Sequence, residues 1–146
     1  MRIELKMILS GLALMLSASA QDETLIRRGR AVYIAEGCIH CHSQYVRPGT
    51  TDEERWGPVL PLPEIEKQRP PLFGNRRQGP DLQNVGARRT TEWQRRHLLS
   101  PQAVTPGSRM PSYAHLFGPG PVNDGEALLA YLASLGPAGA TRTAPP

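Results

Sequence analysis

Hydrophobic positions recur at helical spacing in three stretches of this chain and lose that spacing between them. Over Asp22 to Glu36, the positions Leu25, Gly29, Val32, Tyr33 and Glu36 follow i, i+4, i+7, i+8, i+11 spacing. Their apolar members share one stripe, and Gly37 can end the helix. Gly29 costs about 1 kcal/mol against alanine inside a helix, which is offset if another helix approaches closely there; the alternative is a tolerated surface glycine. A second helix is expected from Thr91 to Leu99, with Thr90 or Thr91 as N-cap, Thr91-x-x-Gln94 in capping-box form, and Ser100-Pro101 as the stop. The third runs from Asp124 to Leu135. Leu128, Leu129, Tyr131, Leu132 and Leu135 make its apolar face, and Gly136-Pro137 ends it.

Residues 47–71 show no helical period. Pro58, Pro61, Pro63, Pro70 and Pro71 work against regular structure over most of this stretch, leaving room for a short helical turn around Glu64 to Gln68. A loop of this length in a compact domain is usually functional or wrapped over something, a bound group or a partner, the alternative being a floppy insert. Gly79-Pro80-Asp81-Leu82 and Gly107-Ser108-Arg109-Met110-Pro111 also read as loops, and there are no internal repeats. The fold class expected from the pattern is all-α: three to four short helices joined by long loops.

Length and charge narrow this picture. At 146 residues, one domain is the default. Residues 1–20 look like a targeting segment: Arg2 and Lys6 form a positive start, Met7 to Leu16 is apolar, and Ala18-Ser19-Ala20 offers a cleavage site. The stretch from Met7 to Ala20 falls short of the roughly 20 residues that span a bilayer, so a cleaved signal peptide is favoured over a short membrane anchor. With no cysteine at that point, lipid attachment is disfavoured. Residues 137–146, rich in Ala, Pro and Thr, are expected to be a disordered tail, which leaves 21–136 as the domain. The net charge of +4 is spread over scattered arginine pairs such as Arg76-Arg77, Arg88-Arg89 and Arg95-Arg96, and gives no argument for nucleic acid. Aromatic residues make up only 5%, so a core built from burial alone would be marginal.

Cys38-Ile39-His40-Cys41-His42 changes the picture most. It contains both cysteines of the chain, and C-x-x-C-H is the spacing of covalent haem c attachment. Two thiols three positions apart can each join one vinyl group on the same porphyrin edge, and the following histidine falls under the iron. Cys38 and Cys41 are therefore the candidate anchors and His42 the candidate proximal ligand. A thioredoxin-like disulfide would need a βαβ context, and a structural zinc site would need a second ligand pair; the sequence offers neither. A covalent haem would also supply the missing core. Most of the arginine pairs read as solvated surface, and one or two could hold haem propionates or steer an acidic redox partner.

Of the four methionines, Met1, Met7 and Met15 lie in the targeting segment, so Met110 is the candidate sixth ligand. It stands 68 positions after His42, in a polar loop before Pro111. A lone methionine is ordinarily packing material. His115, five residues further on, is the rival ligand. His40 sits inside the attachment loop, and His97 on the second helix is expected to pack or to meet a propionate. His/Met ligation would close the iron and favour one-electron transfer over peroxidase, gas-binding or oxygenase chemistry, each of which needs an open position.

With these residues in place, the chain resembles a class I cytochrome c domain. More narrowly it resembles the mono-haem subunit (subunit II) of the cbb-type, C-family, haem–copper cytochrome c oxidases. The likeness rests on Gly29 to Gln44, which contains Cys38-Ile39-His40-Cys41-His42-Ser43-Gln44, and on Arg47-Pro48, Glu54-Arg55-Trp56-Gly57 and Gly79-Pro80-Asp81-Leu82. It continues in Val85-Gly86, Glu92-Trp93, His97-Leu98 and Arg109-Met110-Pro111-Ser112-Tyr113. The resemblance implies a class I fold wrapped around one covalent haem c, with His42 and Met110 as axial ligands. It implies that the Pro80 carbonyl accepts the Nδ1–H of His42, and that Gly29 and Tyr33 meet the last helix near Leu128 and Tyr131. The function implied is electron transfer toward a membrane-embedded haem–copper subunit that reduces oxygen. The chain itself would be an exported periplasmic protein, possessing no catalysis of its own and associated with the membrane through its partner or its N-terminus. The other reading is a soluble periplasmic cytochrome c serving another respiratory complex or a dehydrogenase.

Overall fold

Helices form where the 3.6-residue period is strongest. In the computed structural model, which describes residues 21–120 and 122–136, α1 covers residues 21–35, α5 Thr91–Leu99 and α7 Asp124–Ser134. Four shorter helices lie between them: α2 Asp52–Trp56, α3 Leu62–Glu66, α4 Val85–Arg88 and α6 Pro101–Val104. Two 3₁₀ turns, Cys38–His40 and Ala114–Leu116, complete the set, and the described residues contain no strand. The expected targeting segment over 1–20 and the tail over 137–146 lie outside the described residues.

The crossing of α1 and α7 is the frame of the fold. A Cβ on Gly29 would collide with the Ala127 carbonyl and lie 2.7 Å from the Tyr131 Cβ. The glycine is therefore the point where two helix backbones touch, and not a tolerated surface residue. One turn further on, Tyr33 meets Tyr131 edge to face, with ring centroids 5.8 Å apart, a geometry the aromatic quadrupole favours. Leu128 and Leu129 are buried almost completely, each contributing about 1.5–3 kcal/mol. The first turn of α7 is tied by charge to two other helices: Asp124 pairs with Arg28 of α1 at 2.8 Å, and Arg95 of α5 forks onto Glu126. The N-terminus of α7 is capped by Asn123, whose side chain accepts from the Glu126 N–H at 2.9 Å.

Three expectations are corrected. The stretch 47–71 holds two helices. A first-turn proline costs no hydrogen bond because its N–H would be unpaired anyway, so Pro63 opens α3, and the turn begins two residues before the expected Glu64. Upstream, α2 forms with three acidic residues in its first turn, Asp52, Glu53 and Glu54, where the helix dipole favours them. The N-cap of α5 is Thr90, accepting from the Trp93 N–H at 3.2 Å. The Thr91–Gln94 capping box does not form, because Gln94 is buried and its amide donates to the Arg89 carbonyl instead. Finally, α7 ends at Ser134. Leu135 is its extended cap, and its carbonyl accepts the Gly86 N–H at 2.7 Å, fastening α4 to α7.

Candidate functional site

Gly37 ends α1 in a left-handed conformation, φ 69°, and the chain then closes a tight turn. The Cys41 and His42 N–H groups both donate to the Cys38 carbonyl, at 3.2 and 2.9 Å. That turn brings Cys38, Cys41 and His42 to the wall of one cavity of about 530 Å³. Both thiols are free. Burial pushes the Cys38 thiol up to about 11, so it stands protonated.

The His42 ring lies against backbone. Its Nδ1 is 2.8 Å from the Pro80 carbonyl, and a Cβ on Gly79 would fall 2.6 Å from that same nitrogen. Only glycine leaves space for the ring there. Burial moves the His42 pKa down, keeping the imidazole neutral, the form in which a histidine binds a metal. With Nδ1–H donated to Pro80, the Nε2 lone pair is free.

The 79–83 segment is in turn pinned from below. Gly79 and Leu82 donate their N–H groups to the Cys41 and Ser43 carbonyls. Asp81 accepts from the Tyr45 and Gln83 N–H groups. Arg77 reaches Asp81 at 3.6 Å and Asp52 at 2.8 Å, and Arg47 forks onto Asp52 at 2.7 and 2.9 Å. The Arg47 fork, helped by Arg77, holds the Asp52 carboxyl down at about 2. A carboxyl lower in the folded state than its unfolded value near 3.8 adds stability above about pH 4 and loses it as pH falls toward 2. Because Arg47 is half exposed, the contribution is discounted to on the order of 1 kcal/mol. Asp52→Asn is thus expected to flatten the fall in stability between pH 4 and pH 2, as read by denaturant titration of the haem-loaded protein. An unchanged slope would sink the assignment. Asp81 shifts the other way, raised by burial and, to a lesser degree, by the charge of Asp52.

Met110 reaches the cavity from a strap between α6 and the second 3₁₀ turn. Its backbone is held at both ends: the N–H donates to Ser108 Oγ at 3.2 Å, and the carbonyl accepts from Gln102 at 2.9 Å. Beyond Pro111, Ser112 Oγ donates to the Leu99 carbonyl and the Tyr113 N–H to the Leu98 carbonyl. The strap is thereby laid along the end of α5. His115 is engaged elsewhere, 3.0 Å from Glu36, and His40 is exposed; neither lines the cavity. His97 does line it, stacked on Trp93 with centroids 4.7 Å apart.

Trp56, Trp93, Arg88 and Arg89 also line the cavity, and so does Gln94, which the sequence pattern had placed in a capping box. The i, i+4 spacing of Trp93 and His97 was a usable signal that both face one way. Nothing local marked Arg88 and Arg89 apart from the other arginine pairs.

Residues 16–124 match the family model for the cytochrome c oxidase mono-heme subunit, FixO. The chain belongs to this family. No curated protein matches it. Membership makes it the mono-haem cytochrome c subunit of a cbb3-type oxidase, an electron-transfer subunit carrying one covalent haem c. Its partners are other oxidase subunits, and FixO subunits face the periplasm. Among the described residues, no helix is long and apolar enough to cross a membrane.

The cavity fits such a group. It is walled by two free thiols, a neutral imidazole and a thioether. Three buried polar atoms of its lining residues lack any partner: Arg88 Nε, Gln94 Oε1 and His97 Nδ1. Orphans of this kind are rare in a finished interior; their grouping around one cavity is what a missing polar-edged occupant leaves behind.

Proposed function

We propose that Cys38 and Cys41 anchor the haem through thioethers, that His42 and Met110 ligate its iron, and that the subunit passes electrons to the membrane-embedded haem–copper subunit. The observation carrying this reading is the convergence of these four side chains on a single cavity, with His42 and Met110 standing 68 positions apart in sequence. The bound haem supplies a one-electron ferric–ferrous couple. The residues do the rest. Pro80 holds the His42 ring in one orientation, as partners beyond the ligand commonly do in metal sites. The bonds at Ser108 and Gln102 fix the Met110 backbone, so the thioether is presented without a search. Neutral ligands on both sides add no charge to a desolvated site, and a thioether favours the reduced iron. A cradle held this firmly would let a bound haem change oxidation state with little rearrangement of the residues around it.

Residues 1–20 direct export in this reading. Attachment to the membrane follows from the oxidase partner or from a retained N-terminus, and fractionating native membranes and periplasm distinguishes the two.

Met110→His tests the ligand set. The variant is expected to keep its covalent haem, to lose the iron–sulfur charge-transfer band, and to drop in potential by on the order of a quarter of the ~0.8 V range that axial ligands span. Retention of that band and of the wild-type potential would exclude Met110 as a ligand.

A further inference from the structure

The strap that carries Met110 is tied on two sides of the cavity. On its own side, Gln102 of α6 holds the Met110 carbonyl, and Ser112 and Tyr113 donate to the Leu99 and Leu98 carbonyls at the end of α5. The second tie crosses to the attachment turn. His115 Nε2 lies 3.0 Å from Glu36 Oε2, joining residues 79 positions apart. An ionised carboxylate only accepts, so the imidazole nitrogen donates. Beside this pair, the Tyr113 hydroxyl hydrogen-bonds the Cys38 thiol.

Both partners of the pair are presented by fixed backbone. Glu36 follows the last residue of α1, and its N–H donates to the Val32 carbonyl at 2.9 Å. The next two residues, Gly37 and Cys38, line the cavity. His115 is the middle of the 3₁₀ turn Ala114–Leu116, which starts directly after the cavity-lining Tyr113 and ends in the buried Leu116. Pairing groups held this way costs little further entropy. Their side chains are 58% and 28% exposed, so the pair adds little to global stability. What sets it apart is what it connects. The ion pairs Arg28–Asp124, Arg77–Asp52 and Arg95–Glu126 also join distant parts of the chain, and none has a member on the strap.

We propose that Glu36 and His115 are positioning residues for the sixth ligand: their pair clasps the Met110 strap to the attachment turn and keeps the thioether on the iron. The proposal rests on the haem reading above. With the clasp closed, the strap is tethered from both sides and the iron stays shut to small ligands. With it open, the strap is held from α5, α6 and Leu116 alone, and Met110 leaves the iron more often. The clasp thus acts on the population of an open state and not on the fold as a whole.

Carbon monoxide, which binds ferrous haem only at a vacant position, reads that population. The test mixes it with the reduced full chain, matured with haem, and follows the rate of binding at one fixed pH. Glu36→Ala and His115→Ala are each expected to raise the rate about threefold, within what an exposed ion pair supplies. The double variant should be no faster than either, because all three lack the same single interaction. Glu36→Gln, whose amide oxygen still accepts from Nε2, should recover most of the wild-type rate. Glu23→Ala, which breaks the exposed Arg27–Glu23 pair inside α1, should match wild type. In both alanine variants of the clasp, the iron–sulfur charge-transfer band should fade on warming well before helicity is lost. A purely structural role would move the two transitions together. Wild-type rates in both single variants, or additive effects in the double variant, overturn the proposal. If Glu36→Ala does not fold, a wild-type rate in His115→Ala does so alone. A wild-type chain that lacks the band altogether overturns the ligand reading, and the clasp with it.

Discussion

The double variant Cys38→Ala/Cys41→Ala, prepared without haem, is expected not to hold this fold. The cavity measures about 530 Å³. Without haem this space is open to water, and the apolar burial that the haem would add to a thin core is lost. A domain of this size has only about 5–15 kcal/mol in total, so that loss is a large fraction of its stability. Collapse is disfavoured by what surrounds the space. Helices α2, α3, α4 and α6 have five residues or fewer, far below the dozen or so at which an isolated helix becomes marginal. They persist through packing, and two of them, α2 through Trp56 and α4 through Val85 and Arg88, line the cavity and lean on its occupant. Circular dichroism and limited proteolysis of the haem-free variant should show lost helicity and rapid cleavage within 47–116. A cooperative thermal transition with native helicity would show instead that the polypeptide core suffices.

The same weakness explains which parts of the fold could be read from sequence. Helices α1, α5 and α7 carry enough turns for a 3.6-residue period to show, and their stops are chemical: Gly37, Ser100-Pro101 and Gly136. Helices α2 and α3 are each one turn and a fraction, too short for any period, and sit among prolines that usually argue against helix. What holds α2 is the Arg47–Asp52–Arg77 cluster, whose members are 5 and 25 positions apart and have no local signature. Cys38, Cys41 and His42 drew attention because they fall within five consecutive positions. Met110 was singled out by elimination among methionines, and the structure places all four on one cavity. Which arginine pair would face the cavity was not legible, because the pairs look alike until their surroundings are assembled. Gln94 was misread as a cap for the same reason: its burial depends on the α5–α7 packing, which sequence spacing does not express.

Gly29→Ala should destabilise the haem-loaded protein by up to about 2 kcal/mol, although the substitution is ordinarily favourable in a helix. Two effects oppose each other here. Helix propensity favours alanine by about 1 kcal/mol. Against it, the new methyl would overlap the Ala127 carbonyl and approach the Tyr131 Cβ to 2.7 Å, and overpacking of this kind costs about 1–3 kcal/mol, occasionally more. The obstacle is largely helix backbone, which cannot swing aside as a side-chain tip can. Relief requires α1 and α7 to separate, and that would loosen the Tyr33–Tyr131 contact and the Tyr131 hydroxyl's bond to Gln44 at 2.8 Å. Gln44 lies two residues beyond His42, and the Tyr33 hydroxyl donates to the His42 carbonyl at 3.2 Å. The helix crossing is therefore mechanically continuous with the proximal side of the site. The variant should melt several degrees lower, and its His42-sensitive spectral features should broaden before global unfolding. Melting at or above the wild-type temperature would mean that propensity outweighs the clash and that the two helices do not touch at Gly29 as described.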